Sequence, residues 1–79
     1  MIRFGRHARN RMRRDRVTEE DVRECLENSD QSESDIGRRI SYWRRYRDRF
    51  LKVIAVHENG DIIVITVILR RRAPQRGSQ

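Results

Sequence analysis

The chain is poor in the residues that cross-link or punctuate a fold: it has one cysteine, one proline and four glycines. A lone Cys25 cannot close an internal disulfide, which agrees with a reducing compartment. Cys25, His7 and His57 also lack the spacing of metal ligands. The glycines form no phosphate-cradling loop, and no Ser–His–Asp arrangement is discernible. Nucleotide-dependent and serine-hydrolase chemistry are therefore set aside, and no cofactor is expected. No apolar run approaches the roughly 18 residues of a membrane span, and Met1-Ile2-Arg3-Phe4-Gly5-Arg6 lacks a signal-peptide core. The expectation is a cytoplasmic protein with no membrane partner. Lysine is scarce too: of nineteen basic residues only Lys52 is not arginine.

What is present is positive charge in blocks. Seventy-nine residues with a net charge of +7 allow one domain and a thin core. Residues 1–17 net +6, 18–37 net −7, 38–49 net +5, 50–69 net −1 and 70–79 net +4. Guanidinium forks pair phosphate bidentately and stack on bases, although a GC-rich or heat-adapted genome also favours arginine. An acidic stretch between basic ones is often an internal counter-charge. The three basic blocks can still converge on one face.

Ile2-Arg3-Phe4 reads as a short extended lead-in with Gly5 as a joint. Arg6 to about Arg14 reads as a helix, with Ala8 and Met12 at i, i+4 on one face and His7 and Arg11 on a neighbouring one. In Val17-Thr18-Glu19-Glu20-Asp21-Val22, Thr18 is the N-cap and Asp21 the reciprocal capping-box residue, and Val17 staples to Val22. Val22, Cys25 and Leu26 make the apolar stripe of this second helix, which ends near Asn28-Ser29. Asp30 to Gly37 reads as a loop. Ile40 to Tyr46, Phe50 to His57 and Ile62 to Leu69 read as strands, and Asn59-Gly60 is a type I′ hairpin signal. Residues 70–79 hold the only proline and no periodicity, and are expected to be a disordered basic tail beyond a single 1–69 domain.

With Asn59-Gly60 as the turn, Val56 faces Ile63, Ile54 faces Ile65, Lys52 faces Val67 and Phe50 faces Leu69. The other face pairs His57 with Ile62, Ala55 with Val64, Val53 with Thr66 and Leu51 with Ile68. Both faces are largely apolar, and two helices cover only one. A partner, a dimer mate or a curved neighbouring strand is expected on the second. Tyr42, Trp43 and Tyr46 among Arg38, Arg39, Arg44, Arg45, Arg47 and Arg49 have the make-up of a stacking-plus-charge platform for single-stranded RNA. The plain alternative is that Tyr42 or Trp43 fills the core.

Phe4-Gly5-Arg6-His7-Ala8-Arg9-Asn10-Arg11-Met12, followed by Arg16-Val17-Thr18-Glu19-Glu20-Asp21-Val22, resembles the opening of the family catalogued as domain of unknown function 4258. Ile63-Val64-Ile65-Thr66-Val67 is similar to its last strand, so the resemblance covers residues 4 to about 69. One departure is that the family often carries glycine after the second arginine of the motif, where Val17 follows Arg16 here. By analogy of size and topology the chain also looks like the RelE and barnase-like ribonuclease toxins. That analogy implies an α+β fold, two N-terminal helices on a three- or four-stranded antiparallel sheet.

It also implies metal-independent RNA cleavage by attack of the 2′-hydroxyl on the adjacent phosphate. His7 is then the acid–base group and Arg11 the phosphate clamp. Arg49 and Lys52 are further cations, and Thr66 orients a phosphate oxygen. In the register above Lys52 and Thr66 lie on opposite faces and share a site only if the strand is bulged. The plain alternatives are a packing role for His7, an Arg11–Asp15 pair, a snorkelling Lys52 and an ordinary strand position for Thr66. The expected activity is that of a toxin-like endoribonuclease held by a small acidic antitoxin-like protein. A non-catalytic RNA-binding or protein-interaction module, including a homodimer, stands beside it.

Overall fold

The local signals of the first fifty residues set two short helices. In the computed structural model, which describes residues 1–34 and 36–72, helix α1 spans Arg6–Asp15 and buries Ala8 and Met12. Helix α2 spans Glu19–Glu27 and buries Val22 and Cys25. Thr18 caps α2 in a complete capping box: the Asp21 N–H donates to Thr18 Oγ1 at 3.0 Å and the Thr18 N–H donates to Asp21 Oδ2 at 2.9 Å. Between the helices Arg16 takes φ 58° and ψ 41°, the left-handed conformation in which its N–H satisfies carbonyls of the last turn of α1. This is the helix-ending position that glycine ordinarily fills.

The strands are β1 (Ile2–Phe4), β2 (Gln31–Ser34), β3 (Arg39–Tyr46), β4 (Arg49–Glu58) and β5 (Asp61–Arg70). They form one sheet in the order β1-β5-β4-β3-β2. The expected three- or four-stranded antiparallel sheet is thus corrected to a five-stranded mixed one. Two segments account for the difference. The lead-in Ile2-Arg3-Phe4 pairs in parallel with Ile62, Ile63 and Val64, and the Gly5 N–H donates to the Val64 carbonyl at 3.0 Å before α1 begins. Gln31–Ser34, read as loop because it has no apolar alternation, pairs antiparallel with Ile40–Trp43. Its order comes from the ladder at a sheet edge, where polar side chains are tolerated. Of the expected basic tail, Arg70 closes β5 and Arg71 and Arg72 follow it as a bend, while residues 73–79 lie outside the described residues.

The β4–β5 turn has the left-handed φ values of a type I′ hairpin, 51° at Asn59 and 82° at Gly60. From it the expected register holds for His57–Ile62, Val56–Ile63 and Ala55–Val64. A β-bulge then shifts it: Ile54 pairs with Thr66, Val53 with Val67, Lys52 with Ile68, Leu51 with Leu69 and Phe50 with Arg70. The cause is visible in the strand. An unbulged β5 turns Thr66 into the core and Val67 out of it, whereas the extra residue at Ile65 keeps Val64 and Val67 on one face.

That face meets the helices. Leu51, Val53, Val64 and Val67 form the buried core with Ala8, Met12, Val17, Val22 and Cys25, and Ile2, Phe4, Leu26, Tyr42, Tyr46 and Leu69 pack around it. Strand alternation sends Lys52, Ile54, Val56, Ile63, Ile65 and Ile68 to the opposite face, where they are half-buried. Both helices pack on the core face, so this second face is open among the described residues.

Candidate nucleic-acid interface

The sequence places arginines on both sides of one end of the sheet. At the end of α1 stand Asp15 and Arg16; at the tight β3–β4 turn stand Tyr46, Arg47, Asp48 and Arg49; Leu69 comes from the end of β5. Together they line a cleft of about 240 Å³. Arg47 has φ 60° while Asp48 does not share a positive φ, the pattern of a type II′ turn whose first position favours glycine. The Arg47 guanidinium lies 5.3 Å from the centre of the Tyr46 ring.

Two carboxylates at or beside the cleft, Asp15 and Asp21, are engaged within the chain. Arg14 pairs with Asp15 at 3.1 Å, and that hydrogen bond, with the charge behind it, raises the Arg14 pKa. The Tyr46 hydroxyl donates to Asp21 Oδ2 at 2.8 Å. Burial pushes the Asp21 carboxyl upward, but hydrogen bonds with Thr18 and Tyr46 and the charge of Arg47 outweigh it and hold Asp21 below its ordinary value. Burial first, and then Asp21, push the Tyr46 phenol up. Elsewhere three more acids of α2 are matched within the chain: Glu19 by Arg9 at 3.1 Å, Glu20 by Arg23 at 2.9 Å and Glu24 by Arg44 at 3.5 Å. Among the described residues Arg16, Arg47 and Arg49 are in no such pair. Much of the acidic block thus serves as internal counter-charge, and the cleft itself sets Arg16, Arg47 and Arg49 against Asp15 and Asp48.

The structure scatters the five expected catalytic residues. His7 is exposed at the start of α1 and Arg11 is half-buried one turn on; Asp15 takes Arg14 rather than Arg11 as partner. Arg49 lies in the cleft. The bulge does bring Lys52 and Thr66 to one face, but it is the open face, with the sheet between them and α1. Lys52 Nζ sits 5.0 Å over the Trp43 ring, and Thr66 Oγ1 is buried without a hydrogen-bond partner.

The expected stacking residues also divide. Arg39, Trp43 and Arg45 point to the open face by alternation, while Tyr42, Arg44 and Tyr46 share the helix face. Arg44 Nη1 donates to the Asn28 carbonyl at 2.6 Å. The Tyr42 hydroxyl shares a 2.6 Å hydrogen bond with His57 Nε2, and burial raises the Tyr42 pKa. Trp43 is buried, but on the open face and outside the helix-side core. Sequence reasoning missed Arg16 as a site residue, and it placed Arg47 only among the arginines of the stacking platform. The available signal was the absence of glycine at a helix end and at the first residue of a tight turn.

Residues 4–69 match the family model described as Domain of unknown function (DUF4258). No curated protein and no solved structure matches the chain.

Proposed function

The chain belongs to the family of the domain of unknown function 4258, and on the geometry of the cleft we propose that it is an RNA-binding domain holding the phosphate backbone between the end of α1 and the β3–β4 turn. One observation carries this reading. Of the three non-glycine described residues with positive φ, two are arginines, Arg16 and Arg47, and both line the same cleft. Each sits where glycine is cheaper by about 1 kcal/mol or more. Strain kept at two cations that face one concavity, beside a third in Arg49, is what a phosphate site requires and a merely soluble surface does not. Arginine rather than lysine suits it, because the planar fork engages phosphate oxygens in pairs.

The test is fluorescence anisotropy with a labelled single-stranded RNA across a salt series, comparing wild type with R16G and R47G. We expect each variant to bind more weakly and to flatten the dependence of log affinity on log salt by roughly one phosphate contact. Each should also melt at a higher temperature, since the backbone strain is relieved. Unchanged affinity in both variants overturns the proposal.

The cleaving form of the same reading is a toxin-like, metal-independent endoribonuclease under an acidic antitoxin-like partner. It calls for His7 at the phosphate held in the cleft, yet His7 stands at the start of α1 and the cleft is lined from that helix's other end. Binding is therefore the reading put forward. Incubating labelled RNA in EDTA with wild type and His7→Ala separates the two: cleavage lost in the variant replaces binding by catalysis.

A further inference from the structure

Beyond the cleft, the open face of the sheet carries a row of three directly paired residues at its arginine-rich end. Arg45 pairs with Phe50 across β3 and β4, and Phe50 pairs with Arg70 across β4 and β5. Phe50 is half-buried, and both arginines are exposed. The Arg45 guanidinium lies 6.0 Å from the centre of the Phe50 ring. One step inward the next row is Trp43, Lys52 and Ile68, with Lys52 over the Trp43 ring. Phe50 thus lies on a face that no helix covers, with the Arg45 guanidinium near its ring and Arg70 as its other cross-strand neighbour. It presents an apolar ring flanked in the ladder by two basic residues.

The row is also continuous with the cleft. Leu69 lines both the cleft and a shallow hollow bounded by Ile68, Arg70, Arg71 and Arg72. Arg49 in the cleft is the chain neighbour of Phe50.

We infer that this row is a base-stacking platform, so that the ligand of the cleft is single-stranded rather than duplex RNA; the inference rests on the phosphate-binding reading above. A strand whose phosphates lie against Arg16, Arg47 and Arg49 continues past the end of β5 and lays an unpaired base on Phe50. Arg45 and Arg70 hold the flanking phosphates or stack on the base edge. A duplex keeps its bases stacked inside and gains only the charge of this face.

Trp43 is the only tryptophan, and it lies one row from Phe50, so its emission reports on the platform. The experiment titrates the full chain with a short oligouridylate and with an RNA duplex of the same length. It is repeated on Phe50→Ala, Phe50→Tyr and Arg70→Ala, with circular dichroism to check each fold. We expect saturable quenching of Trp43 by the single strand and weaker binding of the duplex. Phe50→Ala should lose roughly five- to a hundredfold in affinity for the single strand, Phe50→Tyr should retain it, and exposed Arg70→Ala should weaken binding without disturbing the fold. Equal binding of both RNAs, with Trp43 emission and Phe50→Ala affinity unchanged while R16G still weakens binding, overturns the platform and leaves the cleft standing. No binding of either RNA overturns both.

Discussion

Cys25 shows how much a single side chain owes to its surroundings. It is fully buried, with Sγ 3.6 Å from the Tyr42 carbonyl and 3.7 Å from the Leu51 carbonyl. Burial, with a smaller push from Asp30 against the pull of Arg44, carries its pKa up to about 12. The thiolate is the nucleophile, so iodoacetamide at pH 8 should leave the folded chain unmodified and label it fully in denaturant; labelling of the native protein at the rate of a free thiol would contradict the packing. Asp21 is shifted the other way. Its folded pKa lies below the unfolded value of about 3.9, so its stabilisation is present above that value and is lost as pH falls through the folded one. Asp21→Asn should lower the melting temperature at neutral pH, and its gap from wild type should close in acid. A constant gap across the pH range would mean that the carboxylate charge is not the source.

Among the elements, those legible in the sequence were the ones specified locally. The capping box at Thr18 and the Asn59-Gly60 turn each lie within four consecutive residues, and α2 and the β4–β5 hairpin follow from them. Thr18→Ala should cost about 1 kcal/mol, measured by urea unfolding, because it strips an N-terminal acceptor from a nine-residue helix. An unchanged midpoint would place the start of α2 under tertiary control instead. The elements that escaped were specified at a distance. β1 is ordered by residues sixty positions away, and β2 has polar side chains whose pairing with β3 shows in no periodicity. The site followed the same rule. Arg49 and Tyr46 were legible as cation and aromatic in a basic run. Their meeting with Arg16 depends on how α1 lies across the end of β5, which no local pattern encodes.

At the scale of the whole molecule, the fold gathers arginines that are far apart in the sequence. The end of α1, the β3–β4 turn and the end of β5 bring arginines from all three basic blocks to one end of the sheet. At the other end the amino terminus and Arg3 both meet Asp61 at 3.4 Å. The bulge in β5 helps shape that basic end and has one more consequence, which concerns chain length. In an ordinary strand the loss of one residue sends every later side chain to the wrong side of the sheet. Here Ile65 is a spare: without it Val64 still meets Ala55, Thr66 meets Ile54, and every pair from Val67 to Arg70 stays as it is. Deleting Ile65 should therefore give a folded protein with Leu69 still inward and Arg70 still beside Phe50, checked by amide chemical shifts along β4. Deleting Ile68 instead should scramble the end of the strand. A one-residue deletion at the bulge is thus a length change that β5 of this chain can take without losing its two-sidedness.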